Sequence, residues 1–267
     1  MDEAARPARF GQILRRWRLH RGASQLALSL EAEVSARHLS WLESGKAQPS
    51  RAMVLRLADR LDLPLRERNA MLLAAGFAPM YGERTLADPA LAPARAAVER
   101  LLAAHEPAPA LVVDRHWNLV AANRMVGVMM RQVVPALREP PVNVLRLSLH
   151  PAGLAPMIEN LASWRAHVLH RLQRQIAATG DAQLVALREE LLALPAPVGA
   201  TEADAHPDAV VIPFVLNTPH GRLSFLTTVT VFGAPHDVTL AELAIETLLP
   251  ADEATAAALR AVHAGLG

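Results

Sequence analysis

The chain contains no cysteine, which excludes disulfides and thiolate metal sites. Lysine is almost missing too: Lys46 is one of 27 basic residues, and the others are arginine. No apolar stretch reaches the roughly 18 residues of a membrane-spanning helix. The opening MDEAARPARF lacks the apolar core of a signal peptide. The motifs GxSxG, GxGxxG, GxxxxGK(S/T) and HExxH do not occur. His167 and His170 share a helix face, but no third metal ligand lies near them in sequence. Glu189 and Glu190 occupy adjacent helical positions that face apart. These gaps speak against an enzyme, a metal protein or a membrane protein, and predict a cytoplasmic chain with no cofactor.

What is present points elsewhere. The 267 residues suit two domains, and a 52% apolar share can build large cores. Residues 1–76 carry 13 Lys and Arg against 8 Asp and Glu, whereas the remainder carries 14 against 18. The net charge of +1 therefore hides a positive N-terminal end, whose natural partner is a polyanion.

That end reads as five short helices. Phe10, Ile13, Leu14 and Trp17 share a stripe at helical spacing. Ser24 and Ser35 are N-caps of the next two helices, and Gly45 is a C-cap. Pro49-Ser50 opens a fourth helix; Pro64 opens a fifth, which Gly76 closes. Residues 78–93, rich in Pro, Ala and Gly, form a linker between a domain at 1–77 and another at 94–267. In the second, ALVVD (110–114) and LVAAN (119–123) flank a four-residue turn and predict a hairpin. Helices are expected at about 124–134, 154–179 and 181–194, then a loop at 196–208. Strands at 209–217 and 222–232 form a second hairpin, followed by a fifth strand at 243–249 and a helix at 252–266. Leu223, Phe225, Thr227, Val229 and Val231 share one face of their strand. The expected class is an all-α five-helix domain followed by an α+β domain with an antiparallel sheet.

Residues 24–50, SQLALSLEAEVSARHLSWLESGKAQPS, meet the steric needs of a helix-turn-helix. Ser29 is small where the two helices cross, Leu39 and Leu42 face inward, and Val34 anchors the turn. Ala36, Arg37, Ser40 and Trp41 face outward, with His38 beside them. Glu43 would repel phosphate and suits an ion pair with an arginine of the first helix. In Ser24-Gln25, Val34-Ser35, Leu39, Leu42-Glu43-Ser44-Gly45-Lys46 and Pro49-Ser50 the segment resembles XRE-type, phage-repressor-like regulators. The resemblance implies that Gln25 braces a phosphate and the recognition helix, and that Ala36 and Arg37 read base edges. Arg37 would pair with guanine O6 and N7, and Ala36 would touch a thymine methyl. Lys46, Arg51 and either Arg15 or Arg18 are candidates for phosphate contacts. Ser35, His38, Ser40 and Trp41 complete the expected DNA-binding set, Trp41 being equally suited to packing on a neighbouring helix. One departure is Glu33, where the family commonly has Gly because the backbone is left-handed; a side chain there costs about 1 kcal/mol.

ERNAMLLAAGFAPMY (67–81), PALVVDRHWNLVAANRM (109–125) and NVLRLSLHP (143–151) resemble MmyB-like regulators, as does the late segment from residue 208. The resemblance implies a PAS-like domain whose five-stranded antiparallel sheet and helices enclose an apolar cavity for a fatty-acid-like ligand. Leu111, Val113, Leu119, Phe214, Leu216, Phe225, Leu226 and Val229 are available to line it, though each suits a plain core better. Arg146, in an apolar strip, suits either a ligand carboxylate or a structural ion pair. Asn123 is placed to cap the helix that follows it, Trp117 to cover the first hairpin, and Trp164 to dock its long helix. The sequence thus predicts a sequence-specific, homodimeric regulator that binds double-stranded DNA, with a second domain that senses a small apolar ligand. The alternative is a second domain that only dimerises or binds a protein.

Overall fold

The computed structural model describes residues 10–195 and 212–266. The predicted loop at 196–208 and the start of the predicted strand at 209–217 lie outside them. No helix among the described residues is long and apolar enough to cross a membrane. The described residues form two compact units, one from residues 10–84 with 235–241 and the other from residues 85–195, 212–234 and 242–266.

The N-terminal part of the first unit holds five helices: α1 (Phe10–His20), α2 (Gln25–Glu31), α3 (Ala36–Glu43), α4 (Arg51–Arg60) and α5 (Leu65–Ala74). Three of them, α2, α3 and α4, start at a serine that satisfies one of their first amides. Ser24, Ser35 and Ser50 accept hydrogen bonds from the backbone N–H groups of Ala27, His38 and Met53. The inward stripes meet in one core that includes Leu14, Trp17, Leu28, Leu39, Leu42, Leu57 and Leu72. Helix α1 crosses α3 at Gly11, where a Cβ would lie 2.4 Å from the Leu42 carbonyl oxygen. The turn between α2 and α3 passes through Glu33 at φ +55°, the left-handed conformation the sequence called for. Residues 80–81, expected in the linker, are fastened to this unit. The Asn69 side chain accepts from the amides of Met80 and Tyr81 and donates to the Tyr81 carbonyl.

The second unit opens with α6 (Ala92–Ala104) and the hairpin β1 (Ala110–Val113) and β2 (Leu119–Ala122). Then come α7 (Arg124–Met130), α8 (Val144–Leu149), α9 (Leu161–Thr179) and α10 (Ala182–Ala193). Strands β3 (Phe214–Thr218) and β4 (Gly221–Val231) form the second hairpin. The chain then enters the first unit for the short α11 (Val238–Ala241), whose neighbour Asp237 pairs with Arg84 at 3.1 Å. It returns as β5 (Ala244–Pro250) and ends in α12 (Glu253–Ala264). The strands form one antiparallel sheet in the order β2-β1-β5-β4-β3. Register places Leu111, Glu246 and Val229 side by side, and likewise Leu248 with Thr227, and Phe225 with Phe214. This face packs on α7 to α10 in a core that includes Trp164, Leu172, Leu184 and Leu191. The core ends before the strand does: Val229 and Val231 share the inward face of β4 but are 46% and 61% exposed.

Two substitutions test this packing. Glu33→Gly should stabilise the first unit by about 1 kcal/mol, because only glycine takes that φ without strain. Leu172→Ala should cost the second unit about 2–5 kcal/mol, since the side chain is fully buried. Denaturant midpoints of the full chain read both changes.

Candidate nucleic-acid interface and ligand cavity

The exposed side of the first unit centres on α3. Ser35, Ala36, Arg37 and Trp41 are exposed, and His38 and Ser40 are half-buried. The Arg37 guanidinium lies 4.5 Å from the centre of the Trp41 ring. Arg37 has no hydrogen bond or ion pair among the described residues, so its donors remain available. Stacking on Trp41 restricts the side chain without consuming those donors. Lys46 is exposed just beyond the helix. Arg51 is also exposed and donates to the Ala78 carbonyl at 3.1 Å.

Behind that surface sits a buried ion pair. Arg18 of α1 binds Glu43 of α3 in bidentate fashion, Nε to Oε1 at 2.5 Å and Nη2 to Oε2 at 3.0 Å. Their side chains are only 8% and 4% exposed. Gln25 of α2 donates to the same carboxylate at 2.7 Å. Burial pushes the Glu43 carboxyl up, but the hydrogen bonds from Arg18 and Gln25 and the positive charges of Arg18 and Arg15 outweigh it. The group stays below the usual carboxylate range. Arg18 is correspondingly raised, first by the hydrogen bond to Glu43. Arg18 therefore cannot be the phosphate contact that was one of two expectations; its guanidinium is committed inside, whereas Arg15 is exposed.

The second unit contains an apolar cavity of about 90 Å³ between the sheet and α7, α8 and α9. Leu111, Leu119, Val126, Leu147, Trp164 and Phe214 are among its walls. A smaller space of about 50 Å³ shares Met129 and Leu154 with it. Methionine is unbranched and adaptable, so Met129 and Met130 can yield to a longer occupant. The turn after β1 supplies one corner. Asp114 accepts hydrogen bonds from the backbone amides of His116 and Asn118 and from the Asn118 side chain. That cage holds Trp117 at φ +68°, a conformation a bulky side chain rarely takes. Trp117 lines the cavity and donates from its indole to Gln175 at 2.7 Å.

Comparison with known proteins agrees with both halves. A helix-turn-helix domain profile matches residues 9–71. The profile of the MmyB-like transcription regulator ligand binding domain matches residues 94–262. The chain belongs to the MmyB-like transcription regulators. A search of curated proteins found no match. The profiles establish a DNA-binding transcription regulator with a ligand-binding domain, the five-helix and α+β architectures described above.

Within this MmyB-like regulator the expected ligand residues fall in different places. Leu111, Leu119 and Phe214 line the cavity, whereas Leu216 and Phe225 line the smaller neighbouring space. Val113 and Val229 instead line an outer groove, and Leu226 is exposed on the opposite sheet face. Arg146 points away from the cavity and binds Glu190, Nε to Oε1 at 2.5 Å and Nη2 to Oε2 at 2.7 Å. The structural alternative for Arg146 is the one the fold adopts. Asn123 stands at the N-cap position of α7, but its side chain makes no capping hydrogen bond. Its side chain is buried, donates to the carbonyls of Leu102 and Ala108, and accepts from the Ala110 amide. Sequence reasoning missed Arg171 and Glu246, the charged pair on the cavity wall. The available signal was Glu246 itself, a lone acid in the apolar strand AIETLLP.

Glu43→Gln should destabilise the first unit by about 3 kcal/mol, because the Arg18 charge stays buried without a counter-ion. Since folding lowers the Glu43 pKa, its contribution is complete above the ordinary value of 4.5 and is lost as the pH falls below it. Wild-type stability should therefore drop between about pH 5 and 3 more steeply than that of Glu43→Gln. Equal slopes would contradict the assignment.

Proposed function

We propose that this protein is a cytoplasmic, homodimeric, non-enzymatic regulator that reads DNA sequence with α3. Each α3 lies in a major groove, and two half-sites stand about one helical turn apart. Arg37 pairs with a guanine, Ala36 contacts a neighbouring base, and Gln25, Lys46 and Arg51 engage the backbone. The observation that carries this is the contrast between the two arginine environments. Arg18 is buried on Glu43, while Arg37 is exposed, stacked on Trp41 and free of protein hydrogen bonds among the described residues.

The cavity supports a small apolar ligand, fatty-acid-like in its chain. Its walls are almost wholly hydrocarbon, and its methionines allow it to adapt. Ligand occupancy would alter operator affinity. The strands that contribute Thr227 and Glu246 to the cavity are joined by residues 235–241, which belong to the first unit. Coupling of this kind requires different ligand affinities for two arrangements of the protein.

Arg37→Ala should weaken operator binding by about 1–3 kcal/mol and relax preference at one base pair. Lys46→Ala should weaken all duplexes about equally and reduce the salt slope by about one. Fluorescence anisotropy across salt concentrations separates the two. An unchanged operator preference in Arg37→Ala would refute its role as the reader.

A further inference from the structure

The cavity wall is hydrocarbon except for Ser148, Thr227, and one charged pair, Arg171 of α9 and Glu246 of β5. Ser148 already accepts from the Trp164 indole at 2.9 Å. In the pair, Arg171 Nη1 donates to Glu246 Oε1, and the guanidinium lies 4.2 Å from the centre of the Trp117 ring. The two side chains are 20% and 11% exposed. Arg171 and Trp117 also line a wider outer groove of about 390 Å³, together with Arg115, Arg174 and Glu242. Arg171 thus stands where the apolar cavity meets the groove, with Glu246 on the cavity side, and that junction is where the polar end of an apolar ligand would lie.

That position selects the head group. Glu246 Oε2 and the Nε and Nη2 donors of Arg171 have no hydrogen-bond partner among the described residues. The site therefore offers one acceptor and further donors while being electrically neutral. An anionic head would have to share Arg171 with Glu246. The Glu246 backbone is held on both sides of β5, with Leu111 and Val229 opposite it, so its side chain stays on the cavity face beside Arg171. Two carboxylates on one guanidinium, at side chains only 20% and 11% exposed, repel each other. A cationic head would meet Arg171 in the same way. A neutral head that both donates and accepts satisfies both partners.

We infer that the cavity takes an alkyl-chain ligand whose head is an uncharged hydroxyl or primary amide, seated between Glu246 and Arg171, and that it discriminates against carboxylates. The inference rests on the cavity being the ligand site, and it narrows that reading from fatty-acid-like to neutral-headed.

Titration calorimetry of the full-length protein with decanol, decanamide and decanoate tests it. The wild type should bind decanol and decanamide at least about tenfold more tightly than decanoate. Glu246→Gln, which removes the negative charge at nearly constant shape, should reverse the order in favour of decanoate. The wild-type series decides alone if that variant fails to fold. Decanoate binding as tightly as the neutral pair, or more tightly, would overturn the inference while leaving the cavity as a ligand site. Binding of none of the three would overturn the ligand-site reading as well.

Discussion

One carboxylate organises the DNA-facing unit. Glu43 ends α3, receives the fork of Arg18 from α1, and takes a third hydrogen bond from Gln25 at the start of α2. Helix α3 has eight residues, about 12 Å, and is far too short to hold itself in water. Its direction is borrowed from Leu39 and Leu42 in the core, from the close crossing at Gly11, and from this ion pair. A buried pair adds little net stability, but breaking it is costly. It ties α1, α2 and α3 to a single carboxylate. With the acidic group turned inward, the outward side of α3 and the residues after it present Arg37 and Lys46 to solvent.

The second unit uses a buried pair differently. Arg171 and Glu246 stand at the edge of an apolar space, and their remaining hydrogen-bonding capacity is unspent among the described residues. The strained Trp117 belongs to the same arrangement. Asp114 binds three donors to build a turn that leaves Trp117 left-handed, with its ring against Arg171 and its indole on Gln175.

Features set by local chemistry were legible in the sequence. Serine caps, the glycine stop at Gly45 and the apolar stripe of α1 are decided within a few residues, and the structure shows each of them. The left-handed turn at Glu33 was visible because a family pattern marks the position, although the residue itself is unsuited to it. Features set by long-range burial were not. Arg15 and Arg18 look alike along the chain, yet only the fold decides that Arg18 is enclosed. Asn123 has the sequence context of a cap, but three backbone groups brought together by the fold compete for its amide and win. Alternation put Val229 on the inward face correctly, but could not show that it stands on an open groove outside the packed core. Arg171 and Glu246 are 75 residues apart, and nothing in either segment announces the other.

On the proposed function, α3 enters the major groove and reads guanine there. Selection of duplexes by the full-length protein, followed by dimethyl sulfate protection of the selected site, tests it most directly, because that reagent attacks guanine N7 in the major groove. The predicted result is protection of a guanine in each of two half-sites about one helical turn apart. No enriched sequence, or an enriched site whose guanine N7 atoms stay fully reactive, would contradict it.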